Sequence, residues 1–255
     1  MVLLPIVNLD PDLAALRPLG GFFVLRTTGA RGGPPAGPLP AFAEIYENPK
    51  SDVYRKSMTF RIEVVGERLR VSEPRVAASV AQQALAARLW SVALGCAALY
   101  GRVPDLDPCL LHWDASAVAP DDLWLTEVRP RPGDAATLAD TVLHTHLEPL
   151  CDTLHARYGV ATGLLWGNAG SALAGAAREL VRWARGSGRT DVAHRARSLT
   201  DELFTHPLLS TTGTFTGTAF RRRSCCLYYR VPGGGVCGDC CFTRLPRSSP
   251  RAPCG

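Results

Sequence analysis

The sequence predicts an α+β fold in which helix dominates, with a small N-terminal antiparallel sheet and a cysteine-rich C-terminal segment. Three observations carry this reading. Strand-like alternation is confined to the first third, helical periodicity takes over from Ser72, and six of the nine cysteines fall within the last 31 residues. Sheet first and helices later is the order of an α+β chain rather than of alternating βα units. At 255 residues and 46% hydrophobic, the chain is long enough to bury a core without crosslinks. Residues 1–220 read as the α+β body and residues 221–255 as a separate segment.

Taken in order, residues 20–26 (GGFFVLR) alternate like a strand, as do TFRIEVV (59–65) and RLRVS (68–72). Phe60, Ile62 and Val64 share one face there, and Gly66–Glu67 is placed to turn the chain back toward Leu69 and Val71. Between them, residues 29–41 hold four Gly and four Pro in thirteen positions, which suits neither ladder nor helix and predicts a mobile loop. Ser72, Glu73 and Pro74 then start a long buried helix. Its apolar positions, Val76, Val80, Leu85, Leu89, Val92, Cys96 and Leu99, recur until Gly101 and Pro104 end it. After a strand-like LWLTEV, Asp134 opens a second helix with the stripe Leu138, Val142, Leu147, Leu150, Leu154, a kink at Pro149 and a stop at Gly159. A third helix, about Trp166 to Arg185, is rich in small residues that admit close approach. A fourth, Asp191 to Phe204, leads into a Thr/Gly-rich loop and then the cysteines.

Net charge is +5, and it is uneven. From Arg221 onward there are seven Arg and one acid, Asp239, giving +6; the first 220 residues hold 21 basic and 22 acidic residues, giving −1. A basic tail suits an anionic partner. It suits equally a metal–sulfur centre whose thiolates and sulfides leave a net negative charge to be balanced. The longest apolar run, Leu89 to Tyr100, is interrupted by Ser91 and Gly95 and is far short of the about 20 residues of a membrane helix. The N-terminal stretch lacks a basic flank and carries Pro5, Asp10 and Asp12, so a cytoplasmic location is expected.

Cys96, Cys109 and Cys151 are scattered and read as small hydrophobes. The cysteines at 225, 226, 237, 240, 241 and 254 cluster, which in a reducing compartment favours metal over disulfides. Cys225 and Cys226 are adjacent, ten residues follow, and Cys237 and Cys240 form Cys-x-x-Cys. A Cys-x-x-Cys turn aims two thiolates at one metal and is common to zinc and iron–sulfur sites; Gly238 inside it eases the backbone. Adjacent cysteines chelate a single ion with difficulty, whereas zinc sites use two knuckles with spaced ligands. Four thiolates around a two-iron cluster accommodate the pair. Pro232 and Gly233 to Gly235 let the connection fold back, and Tyr228 and Tyr229 are placed to shield the centre.

The spacing Cys-Cys-x10-Cys-x2-Cys resembles the C-terminal motif of the FhuF-type ferric siderophore reductases. LLWGNAGSALAGA (164–176) is similar to that family's Trp-Gly-Asn helix, and AQQALAARLW (81–90) to its first long helix, so the resemblance runs from about Arg75 to Cys241. It implies a [2Fe–2S] cluster on Cys225, Cys226, Cys237 and Cys240, with Cys241 and Cys254 as neighbouring thiols. It also implies one-electron reduction of a ferric siderophore of hydroxamate or related type, with release of Fe(II). Hard anionic oxygens hold Fe(III) far more tightly than Fe(II). Arg221, Arg222 and Arg223 stand ready to steer an anionic chelate or an acidic donor. Trp166 and Asn168 become candidates for a substrate face through the resemblance alone.

GNAGSALAG is not a dinucleotide fingerprint, so electrons are expected from an external ferredoxin- or flavin-type reductase. Peripheral contact with a siderophore transporter at the inner membrane face is compatible with the basic tail. Nucleic acid is not an expected partner, because the tail lacks a groove-reading helix. The six histidines have no ligand spacing and read as surface or core residues. Two other readings remain at this stage: a zinc-bearing interaction module, and an iron–sulfur sensor or carrier that turns over no siderophore.

Overall fold

Met58, Ile62 and Val65 recur at four and three residues, which is a helical period. In a computed structural model, which describes residues 13, 16–28, 41–42, 55–244 and 246, they line one face of helix α1 (Arg55–Leu69). Met58 and Ile62 are buried and Val65 packs on the core, whereas Phe60 is 43% exposed. The strand pair read over 59–65 and 68–72 is therefore a helix. Phe60 and Val64 do not share the buried face with Ile62, and Gly66 sits inside the helix rather than in a turn. The loop read over 29–41 falls almost wholly outside the described residues; of it, Ala41 is buried and bridges to His112.

Helix α2 (Pro74–Tyr100) is the axis of the molecule. Pro74 presets the first turn, where a missing N–H costs nothing, and Gly101 closes the helix in the left-handed conformation with its N–H on the Ala97 carbonyl. Nearly every residue from Val76 to Ala98 is buried, so α2 is apolar all round because other helices surround it.

The segment read as a strand over 20–26 is a 3₁₀ turn, Gly21–Phe23, followed by strand β1 (Arg26–Thr27). Its cause lies far away in sequence. Arg88 of α2, 2% exposed, donates to Asp122 (Nε–Oδ1 2.9 Å) and to the carbonyls of Val24 (2.8 Å), Gly21 (3.3 Å) and Phe22. Those carbonyls converge on one guanidinium instead of joining a ladder. The sheet is completed downstream by β3 (Leu111–Trp113) and β4 (Leu123–Leu125), in the order β1-β4-β3, parallel between β1 and β4 and antiparallel between β3 and β4. Strands β2 (Arg102–Pro104) and β5 (Pro130–Pro132) form a separate antiparallel pair.

Asp134 caps the next helix by accepting from the Thr137 amide (2.8 Å), and α3 (Ala135–Leu138) begins there. It continues as a nine-residue π-helix, Ala139–Leu147, and then as α4 (Glu148–Tyr158), stopped at the left-handed Gly159. Pro149 falls in the first turn of α4, so widened turns stand just ahead of the expected kink. Helices α5 (Thr162–Gly186) and α6 (Thr190–Leu203) pack with α2 and with each other, and α7 (Pro207–Ser210) is a single turn. The Thr/Gly-rich stretch read as a loop is a hairpin, β6 (Gly213–Thr216) and β7 (Ala219–Arg222), turning at Gly217 with φ +60°. Phe215 opposes Phe220 across it and both rings contact Phe204 of the segment after α6, which supplies the apolar seat a lone hairpin lacks.

Candidate metal centre

The small residues of α5 explain where the cysteine segment goes. A side chain at Gly167 would strike Ser224, and one at Gly170 would strike Thr212 and touch Phe220. The hairpin and the arm after it therefore lie directly on the α5 backbone. The small positions serve the approach of this arm as well as helix packing.

A set of polar contacts, most of them buried, holds the arm in place. Ser79 of α2 donates to the Cys226 carbonyl (2.8 Å). Asn168 of α5, fully buried, donates to the Ser79 carbonyl (3.0 Å) and accepts from the Arg222 guanidinium. The Arg222 amide donates to the Asp239 carbonyl (2.9 Å), and the Asp239 carboxylate takes Ser171 Oγ (2.6 Å) and Arg178 (3.0 Å), both on α5. Arg230 closes the far side on Glu73 (2.7 Å), whose carboxyl this hydrogen bond holds below its usual range. Asn168 thus faces inward as a strut, not toward a substrate, while Trp166 is half-buried against the core.

Within the arm, Cys226 Sγ and Cys237 Sγ lie 3.5 Å apart. Cys225 Sγ accepts from the Leu227 amide (3.3 Å), and Cys240 Sγ from the Phe242 amide (3.4 Å). The Cys240 amide donates to the Cys237 carbonyl (3.0 Å), which shapes the Cys-x-x-Cys turn. Leu227 takes φ +66°, a left-handed value that costs a non-glycine residue about 1 kcal/mol, and its side chain packs on the core. This reversal swings the following amides back toward the cysteines. In the connection, Gly233 has φ +72°, and a side chain at Gly234 would meet the carbonyls of Tyr228 and Val231. Gly238 has open space and no such need, so the ease expected of it resides at 233 and 234. Tyr228 is exposed rather than shielding, and Tyr229 packs edge-on to Phe242 at 5.9 Å.

The thiols are unequal. The hydrogen bond with Cys237 holds Cys226 down to about 6, helped by the Tyr228 amide and the positive charge of Arg222, against burial. The same hydrogen bond pushes Cys237 up. Burial raises Cys225 to about 11. The positive charge of the buried Arg222 favours the ionised form of the Cys226–Cys237 pair.

Among the described residues no three His, Cys, Asp or Glu side chains converge on one ion position. A cluster of two irons and two sulfides asks for something else, two thiolates on each iron, because sulfides fill the rest. The donors here are sulfur alone, soft ligands suited to such a cluster, and two of them already hold backbone N–H groups. Arg222 Nε and Ser224 Oγ are buried with no hydrogen-bond partner among the described residues, polar atoms left over beside the sulfurs. The residues fit the group.

Sequence reasoning found the cysteines but not Ser79, Gln83, Ser171, Arg178 or the inward role of Asn168. Gln83 Oε1 accepts from Arg222 (3.3 Å). The one signal available was Asp239, the single acid among seven arginines. A family model described as ferric iron reductase FhuF-like transporter matches residues 82–216, and one described as FhuF 2Fe-2S C-terminal domain matches residues 222–242. No curated protein matches the chain.

Proposed function

The chain belongs to the ferric iron reductase FhuF-like family and carries its [2Fe–2S] C-terminal domain, and from that premise we propose that it reduces a ferric siderophore, of hydroxamate or related hard-oxygen type, by one electron. We propose equally that Cys225, Cys226, Cys237 and Cys240 are the cluster ligands. The observation that supports this is the clamp. Struts from the two longest helices fix the arm, while Cys225, Cys237 and Cys240 stay partly exposed.

When bound, a [2Fe–2S] group takes up and gives up one electron at a potential set by charge, burial and hydrogen bonds to sulfur. The chain's own residues supply those settings. The Leu227 and Phe242 amides donate to the sulfurs of Cys225 and Cys240, and Arg222 offsets negative charge from below. Exposed Arg221 and Arg223 attract anionic partners. One electron enters from an external donor of ferredoxin or flavin type, and one leaves to the Fe(III) of the chelate. The Fe(II) product is held weakly by the same oxygens, which take protons from water as the metal departs. We place the reaction in the cytoplasm, with peripheral contact to a siderophore transporter; no helix among the described residues is long and apolar enough to cross a membrane.

The test is anaerobic purification with iron and acid-labile sulfide assayed together, then dithionite-driven Fe(II) release from a ferric hydroxamate chelate. Equal iron and sulfide, absorbance that bleaches on reduction and Fe(II) release, all lost in Cys225→Ser and Cys237→Ser, are expected. A cluster that bleaches yet releases no Fe(II) from any ferric chelate would reduce the protein to a carrier or sensor.

A further inference from the structure

A groove of about 590 Å³ runs between α5, α6 and the β6–β7 hairpin, away from the thiols but joined to them. Its floor is apolar, with Ala177, Val181 and the 44%-exposed Phe215. Its walls carry Arg178, Arg182, Arg185 and Arg197 against Glu179 and Asp201. Arg182 is paired with Glu179, and Arg178 with Asp239. Arg185 and Arg197 form no ion pair among the described residues, and Arg197 Nη2 is buried without a hydrogen-bond partner. A buried guanidinium donor left unsatisfied is costly, and the acceptor that answers it best is a carboxylate, which a guanidinium binds with two parallel N–H bonds.

The groove also touches the arm. Arg178 lines it and reaches the Asp239 carboxylate at 3.0 Å, one residue ahead of Cys240. The hairpin that forms its edge runs straight on through Arg222 into Cys225. A ligand seated here lies one ion pair from the Cys237–Cys240 turn.

We propose that this groove binds the ferric chelate and selects chelates that carry a free peripheral carboxylate beside their iron-binding oxygens. The proposal rests on the reductase reading for the identity of its ligand. The apolar body lies on Ala177, Val181 and Phe215, and the carboxylate takes the exposed guanidinium of Arg185 and the groove-lining side of Arg197. Uncharged chelates of similar size fill the floor but leave those donors unanswered.

The test uses gallium(III) complexes, which match the ferric ion in charge and size but accept no electron, so binding is read without turnover. Cluster-loaded protein is titrated calorimetrically with the gallium complex of a trihydroxamate that bears one free terminal carboxylate and with that of the same trihydroxamate with the carboxylate converted to an uncharged amide. The carboxylate-bearing complex should bind about ten-fold more tightly, by the general worth of a charge-assisted pair. Arg185→Gln, an exposed position safe for folding, and Arg197→Gln should each remove most of that preference while leaving iron, sulfide and dithionite bleaching unchanged. Equal affinity for the two complexes, or a preference untouched in both variants, overturns the groove assignment even if ferric chelates are turned over. Selective gallium binding that the variants abolish, in a protein that releases no Fe(II) from any chelate, upholds the groove and overturns the reductase reading instead.

Discussion

His146 is fully buried, its Nε2 donating to the Leu106 carbonyl at 2.6 Å and its ring edge-on to Phe42 at 5.4 Å. Burial pushes its pKa down to about 4, with the Leu106 carbonyl and Asp107 opposing. The unfolded chain titrates this group near 6.5, so between those values the unfolded state binds the extra proton. Its stability contribution is complete above about pH 6.5 and is lost as pH falls to about 4, roughly 3 kcal/mol in all. Urea midpoints measured from pH 7.5 to 4.5 should fall in the wild type and fall less in His146→Leu. Arg88 makes a second residue-scale case. Arg88→Ala leaves Asp122 charged and buried and three carbonyls without their donor, and should cost about 3–5 kcal/mol in chemical denaturation. A matched hydrophobic pair at 88 and 122 should cost clearly less, which separates the lost partner from the lost volume.

At the scale of elements, the arm depends on the helices beneath it. Asn168→Ala removes an acceptor from Arg222 and a donor to Ser79, a loss of about 1–3 kcal/mol, and should show as faster iron loss on incubation with a chelator. Gly170→Val should displace the hairpin and produce the same loss with α2 and α5 intact by circular dichroism. Such dependence explains what the sequence disclosed and what it hid. Helix ends at Pro74, Gly101, Asp134 and Gly159 were legible because caps act on their own neighbours. The [2Fe–2S] segment was legible because the spacing of its cysteines is local. Residues 59–72 were misread because Phe60, Ile62 and Val64 alternate over a short window, where the helical spacing of Met58, Ile62 and Val65 also fits. The hairpin at 213–222 was missed because the seat for Phe215 and Phe220 is a ring at 204. Ser79 and Asn168 were illegible for the same reason, since their partners lie 147 and 54 residues away along the chain.

For the whole molecule, the body and the arm have different claims on the metal. The apolar core cluster runs through α2, α5 and α6 and contains none of Cys225, Cys226, Cys237, Cys240 and Cys241, while the clamps on the arm come from polar groups on α2 and α5 and from Glu73 at the start of α2. Stripping the iron anaerobically should therefore leave far-ultraviolet circular dichroism nearly unchanged. Amide hydrogen exchange should speed up over residues 223–242 and remain slow in α2. Global unfolding on iron removal would show instead that the metal organises the body.

The π-helical stretch at 139–147 has a consequence for the length of the chain around it. A wide turn of this kind accommodates one residue more than an α-turn does, between ends that Asp134 and Gly159 pin. Deleting one residue there should restore ordinary helix while leaving the side chains on either side on the faces they now hold, because the wide turn has already taken up the about 100° that one residue adds; the same deletion inside regular α2 would rotate one half of the helix against the other and destroy its burial.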